Sequence, residues 1–391
     1  MHLQRCLAEY PDEPGLLKIA VSCYAHLGLF EQAVRVAQHW VGNAKEAADA
    51  HMLLGRLHHE RLETLEAIGA YDRAIELDPN LAEAHFARSE VLLLSGRMSE
   101  GWESYEWRFK MKRAHGTLPK IDSPQWDGRP LPPGKLLLIA DQGYGDCLQF
   151  MRLLPWAVNR APNPIVLTTK ALEPFLRQCR GLGRIIHQRD VTGVADAYIP
   201  FSGLPRLAGI DLDRIPSAEG YLAHSPARLE HWQRKLDRLI PRGRRRIAIV
   251  WAGRPAHANN SRRSIKLSEF VRPFAGGGAA LISVQKGPQV AEVGSYFGAA
   301  PLINLGPEIV DFHDTLAILK NVERLVTVDT SVAHLAGAAG VPASVALPYL
   351  PDWRWLLGRE DSPWYRSVKL YRQRRYGDWS DVMERIAADI H

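Results

Sequence analysis

An α-helical repeat module followed by two α/β lobes is the fold class that this 391-residue sequence predicts. Three observations carry it. The first hundred residues repeat with a period of 34, a Pro-rich break follows, and apolar strand-like runs then alternate with helical stretches to the end. The length implies two or three cores, and 46% hydrophobic content is enough to fill them.

The period is read from side-chain size. Small residues recur at Ala33, Ala67 and Gly101, and four positions later stand Ala37, Tyr71 and Tyr105. A turn position falls at Gly28, Leu62 and Gly96, and unit-ending prolines fall at Pro11 and Pro79. The middle unit is clearest: Leu54, Gly55, Ala67, Tyr71, Ala74 and Pro79 stand where small residues let two helices touch and Pro stops the second. This pattern resembles the tetratricopeptide repeat (TPR). Roughly three units fit between Pro14 and Arg113, with Met1 to Pro11 reading as the tail of a preceding unit. An ordinary helical bundle is the alternative.

From 114 to 134 the pattern breaks into Pro119, Pro124, Pro130, Pro132, Pro133 and Gly134 around Trp126, a composition that reads as a linker. Strands are expected at Lys135 to Ala140, Ile165 to Thr169, Arg184 to His187, Ala197 to Phe201, Arg246 to Trp251, Ala280 to Gln285, Arg324 to Val328 and Ala343 to Leu347. A charged amphipathic helix at Ala227 to Leu239 divides the region into two Rossmann-like lobes. The resulting boundaries are 1–113, 114–134, 135–241 and 242–391.

Chemistry is expected where strands run into turns. The first strand ends in Asp141-Gln142-Gly143-Tyr144-Gly145-Asp146, with Asp146 opening a helix over Cys147 to Ala157. Glycines there let backbone amides approach a ligand, although an Asp at a helix start also serves for capping alone. A full G-x-G-x-x-G is absent. In the second lobe, Arg324 to Val328 runs into Asp329, Thr330 and Ser331, whose helix carries His334 one turn in; free first-turn amides and two hydroxyls make an anion site. His334 either donates to the same anion or is simply packed. Gly253 and Arg254, then Arg262, Arg263 and a helix opened by Ser264, and finally Lys286, place cations after neighbouring strands. Singly each is a surface charge; together they suit a diphosphate.

Charge and cysteine usage exclude other classes. A net charge of +6, concentrated at Arg242 to Arg246 and Arg372 to Arg375, fits an anionic ligand, but no basic stripe with interleaved aromatics marks a nucleic-acid groove. Cys6, Cys23, Cys147 and Cys179 form no C-x-x-C pair, so spacing gives neither a zinc site nor a disulfide framework. No apolar run approaches a membrane span, so no integral membrane contact and a cytoplasmic location are expected. No metal site is read, because no D-x-D pair stands at a strand end in position to hold one against a diphosphate.

From Leu136 to Ile390 the chain resembles the heptosyltransferase-like glycosyltransferases, specifically variants fused to tetratricopeptide repeats. The resemblance rests on an ordered set: Gly143-Tyr144-Gly145-Asp146, Val250 to Pro255 with Arg263-Ser264-Ile265, Ser283 to Gly287, Asp311 to Thr315, Val328 to Gly337, Pro351 to Trp355 and Ser362 to Tyr365. It implies a GT-B fold, an acceptor on the first lobe, a nucleotide-sugar donor of the ADP-heptose kind on the second, and inversion at the anomeric carbon without metal or bound cofactor. Asp146 matches the family's general base, and Lys286, Asp329, Thr330, Ser331 and His334 match its donor-phosphate region. The acceptor side is assigned to Gly143, Tyr144, Gly145 and Gln149, with Tyr144, Gln149 and Ser331 departing from the lipopolysaccharide enzymes. The expected partners are a nucleotide sugar and a protein or glycan acceptor in the repeat groove, a face that would otherwise pack against the first lobe or form a homo-oligomer contact. Two rival readings are a protein O-linked transferase using UDP-GlcNAc and an inactive repeat scaffold. An NAD-dependent oxidoreductase lacks the fingerprint.

Overall fold

The computed structural model describes residues 2–43, 48–111, 118–216, 220–256, 259–274, 276 and 278–390. The expected boundary at Arg113, the opening of the Pro-rich segment at Ala114, and His257 lie outside these residues. The chain forms two compact units. One comprises 1–117 with 352–357, and the other 118–351 with 358–391.

The first unit is helical: α1 (His2–Glu9), α2 (Pro14–His26), α3 (Phe30–Asn43), α4 (Ala48–Glu60), α5 (Thr64–Leu77), α6 (Ala82–Leu94) and α7 (Met98–Tyr105). Helices α2/α3, α4/α5 and α6/α7 are the three expected repeat pairs. The turn position is left-handed in each, with φ of 73° at Gly28, 62° at Leu62 and 84° at Gly96. The repeat therefore imposes one backbone geometry even where the residue is Leu. Size complementarity is also local: a Cβ on Gly55 would lie 2.7 Å from the Tyr71 ring, so only glycine lets α4 and α5 close. The last pair buries Trp102, which meets the Trp353 ring edge-on at 5.2 Å. Residues 352–357 thus complete the repeat core, and the continuous span 242–391 expected for the second lobe is interrupted there.

The second unit holds two sheets. Along the first run β1 (Leu136–Ile139), α8 (Tyr144–Phe150), α9 (Leu154–Arg160), β2 (Ile165–Leu167), α10 (Glu173–Leu176), β3 (Ile185–Ile186), β4 (Ala197–Pro200) and α11 (Leu204–Leu207). The strands are parallel in the order β3-β2-β1-β4. Helix α12 (Pro226–Leu239) leads to β5 (Arg245–Val250), α13 (Asn260–Arg263), α14 (Leu267–Val271), β6 (Ala279–Ser283), β7 (Leu302–Asn304), α15 (Phe312–Leu319), β8 (Arg324–Val328), α16 (Ser331–Ala338), β9 (Ala343–Leu347), β10 (Val368–Arg372) and α17 (Ser380–Ala388). This second sheet is also parallel, in the order β10-β9-β8-β5-β6-β7. Strands β6 and β9 are unbroken runs of buried residues, and β5 and β8 become so after their opening arginines, as sheets covered on both faces require.

Four sequence expectations are corrected. Residues 118–134 do not form a free linker: the Trp126 N–H donates to the Tyr198 carbonyl (2.7 Å) and the Lys120 N–H to that of Arg189 (3.0 Å), which fastens the segment to the first lobe. The long helix after β1 opens at Tyr144 rather than Asp146. A 3₁₀ turn at Met151–Leu153 then splits it before Pro155, whose ring cannot continue the upstream hydrogen bonds. Ser264 ends α13 instead of opening a helix, and the next helix starts at Leu267. Two strands, β7 and β10, were not anticipated.

Candidate functional site

In an open parallel sheet, ligands bind beyond the carboxyl ends of strands where the strand order reverses. The second sheet reverses between β5 and β8, so that crevice is bounded by the turn after Val250 and the turn after Val328. These are the turns containing Gly253, Arg254 and Asp329 to Ser331. The first sheet reverses between β1 and β4, which places Asp141 to Asp146 at its switch point.

The β5 and β6 ends are held together by Gln285. Its buried Oε1 accepts from the N–H groups of Trp251 (3.2 Å) and Ala252 (3.1 Å), and its Nε2 donates to the Ala252 (3.0 Å) and Lys286 (2.8 Å) carbonyls. The turn that follows is tied to α13, because the Gly253 N–H donates to Ser264 Oγ (3.2 Å). Arg263 on α13 then reaches toward β8, its Nη1 3.9 Å from Asp329 Oδ2, while its buried Nε has no hydrogen-bond partner among the described residues. Arg254 is exposed on the same turn.

Thr330 is the N-cap of α16 in extended backbone (φ −144°, ψ 169°). Its hydroxyl lies 3.2 Å from that of Thr327 and makes no side-chain capping bond. The Ala333 N–H donates to the Thr330 carbonyl (3.0 Å), and no side-chain cap covers the amides before it, a polarity at the helix start that favours an anion. His334 is 5% exposed, and its Nδ1 lies 3.0 Å from the Tyr365 hydroxyl. Lys286 is committed elsewhere. Its ammonium donates to the Gly306 and Ile309 carbonyls, both at 2.9 Å, and bracing that loop is its role in this structure.

On the first lobe, Asp141 fixes the turn after β1 by accepting from the Ser202 N–H (3.1 Å) and hydroxyl. Gln142 takes a left-handed φ of 66°, a backbone state of the kind that concentrates at functional sites. Gly143 is the N-cap of α8, and its N–H donates to Asp146 Oδ2 (2.9 Å), so Asp146 sits three residues into the helix and supports its own turn. Tyr144 is 43% exposed and meets Phe312 of α15 at 5.3 Å. Gln149, expected on the acceptor side, is fully buried, and neither amide atom has a hydrogen-bond partner among the described residues. It faces packing rather than an open acceptor surface.

The two switch points meet. A Cβ on Gly145 would fall 2.7 Å from His334 Cδ2 and 3.4 Å from Ser331 Cα, so α8 and the first turn of α16 are in van der Waals contact. The structure therefore gathers Gly143, Gly145, Asp146, Ser331 and His334 at one junction, with Asp329, Thr330 and Arg263 beside them. Lys286 is instead engaged with the Gly306 and Ile309 carbonyls, and Gln149 is enclosed in packing. Sequence reasoning did not select Arg263, Gln285, Arg152 or Tyr365 as site residues. In the sequence, Arg263 stood among the cations suited to a diphosphate, and Gln285 and Tyr365 fell inside matching motifs without being given a role; Arg152 carried no signal.

No family model matches the chain. The chain is similar along most of its length to Protein FlbA of Caulobacter vibrioides. The two are 26% identical over 389 residues, which cover 92% of this chain and 63% of FlbA, so the chain spans less than two thirds of that relative. The murine Superkiller complex protein 3 is 28% identical over 80 residues, 20% of this chain and 5% of that protein. Among solved structures, MamA is 25% identical, covering 28% of this chain and 65% of its own at a TM-score of 0.26. The E. coli ADP-heptose LPS heptosyltransferase II is 13% identical, covering 66% of this chain and 97% of its own at a TM-score of 0.47. Among the described residues no helix is long and apolar enough to cross a membrane.

Proposed function

We propose that this chain is a metal-independent, inverting glycosyltransferase that holds a nucleotide-diphosphate sugar in the β5–β8 crevice and an acceptor hydroxyl against the first lobe. The observation that carries the reading is the meeting of the two switch points, which sets the Asp146 turn directly against the start of α16. As the glycosidic bond breaks, negative charge grows on the departing diphosphate. The α16 amides, the Thr330 and Ser331 hydroxyls, His334 and Arg263 answer that charge. Asp146, across the junction, takes the acceptor proton. The sequence resemblance supports an ADP-heptose-like donor. The nucleotide sugar is a co-substrate, so no bound cofactor is required. The repeats recruit a protein or glycan acceptor on their side-chain-rich face, and the reaction is assigned to the cytoplasm.

Thermal-shift screening of the full chain against ADP-, UDP-, GDP- and dTDP-sugars tests this. Saturation at a hundred times Kd stabilises the native state by about 2.7 kcal/mol, a readable rise in Tm. Asp146→Asn is expected to keep that rise while turnover, measured in chelator, drops by about 10²- to 10⁴-fold. Failure of every nucleotide sugar to raise Tm rules the reading out.

A further inference from the structure

The junction contains a buried chain of contacts that runs from the first lobe to His334. Arg152, 5% exposed, follows α8 and donates from Nη2 to the Trp364 carbonyl (2.7 Å), from Nη1 to that of Pro216 (3.3 Å) and from Nε to that of Gln149 (3.1 Å). Its guanidinium carbon lies 5.0 Å from the Tyr365 ring centroid, 5.3 Å from Tyr221 and 5.4 Å from Trp364. A desolvated cation among three aromatic faces holds those rings in place. Tyr365 is fixed from its other side by Gly337, where an added Cβ would sit 2.3 Å from the ring. Its hydroxyl ends at His334 Nδ1.

Proton counting gives this contact a direction. The Tyr221 hydroxyl spends its proton on the Leu148 carbonyl, 2.7 Å away. The Tyr365 hydroxyl can then give its proton to the Tyr221 oxygen or to His334 Nδ1. An imidazole nitrogen is far more basic than a phenol oxygen, so the proton belongs on the bond to Nδ1. A neutral imidazole that accepts at Nδ1 carries its own proton at Nε2. Nε2 is bonded to Cδ2, the atom that borders Gly145, so this N–H lies on the side of the ring nearest the Asp146 turn.

We propose that Tyr365, braced by Arg152 from the first lobe, is a positioning residue that holds His334 as the Nε2–H tautomer, so that the neutral ring donates to the donor diphosphate. The inference rests on the glycosyltransferase reading and deepens it. The full chain labelled with ¹⁵N-histidine, at about pH 8.5 so that an ordinary imidazole is neutral, reports the tautomer directly. His334 is assigned from its disappearance in His334→Gln. The wild type should show a pyrrole-like Nε2 and a pyridine-like Nδ1. Tyr365→Phe should average the two and weaken nucleotide-sugar binding about tenfold, the loss of one hydrogen bond to a charged group. If Tyr365→Phe does not fold, the wild-type spectrum alone decides. An Nδ1–H tautomer in the wild type, or an unchanged pattern in Tyr365→Phe, overturns the positioning role. An Nε2–H tautomer in a chain that binds no nucleotide sugar instead removes the glycosyltransferase reading, and with it the diphosphate as acceptor.

Discussion

At the scale of single residues, the junction depends on the absence of a side chain at Gly145. Gly145→Ala would push a methyl into His334, 2.7 Å from its Cδ2, and overpacking of this kind costs about 1–3 kcal/mol. Gly143→Ala meets only the carboxylate tip of Asp146 at 3.0 Å, so it should cost less. Urea unfolding of both variants checks the order. His313 provides a second single-residue test. It is stacked on Phe175 at 4.3 Å, and burial lowers its pKa below 6.5, with Arg228 adding to the shift and Asp311 and Asp314 opposing it. The unfolded chain therefore binds this proton first. The stability contribution is complete above the unfolded value and is lost as pH falls through the folded one. His313→Gln should accordingly lose less Tm than wild type between about pH 7 and about pH 5. Single residues also show what a sequence conceals. His334 was legible as a helix residue beside an anion site, and Tyr365 as part of a separate motif, but the two stand 31 positions apart and their contact was visible only in space.

At the scale of elements, the repeats were readable because each pair solves the same packing problem with the same small residues at the same spacing. Leu62 marks the limit of that economy. It occupies a turn where its counterparts are glycines, and left-handed backbone costs a side-chain-bearing residue about 1–2 kcal/mol, whereas glycine costs about 0.5–1 kcal/mol in chain entropy. Leu62→Gly should therefore raise stability by up to about 1 kcal/mol, read as a higher denaturation midpoint at unchanged slope. The strands that escaped notice did so for physical reasons. β7 has three half-buried residues, and β10 carries Lys369 and Arg372 among its three apolar residues, as an edge strand can. The Pro-rich stretch was legible as irregular chain, but its hydrogen bonds to Arg189 and Tyr198 depend on partners more than sixty residues away.

At the scale of the whole molecule, fold class followed from counting elements, because eight of the strands announced themselves as apolar runs. The strand orders did not follow from that count. They are what converts a list of Gly-rich turns and cations into a site, by showing that Gly253, Arg263 and Asp329 flank one reversal and Asp146 another. The central claim is that the start of α16 holds a diphosphate. Calorimetric titration of the full chain with the nucleoside diphosphate of the sugar that raises Tm tests it most directly. The account predicts one site, weakened about tenfold or more in Thr330→Ala and in His334→Ala, with both variants still folded at the temperature of the titration. Binding of undiminished affinity in both folded variants would contradict it.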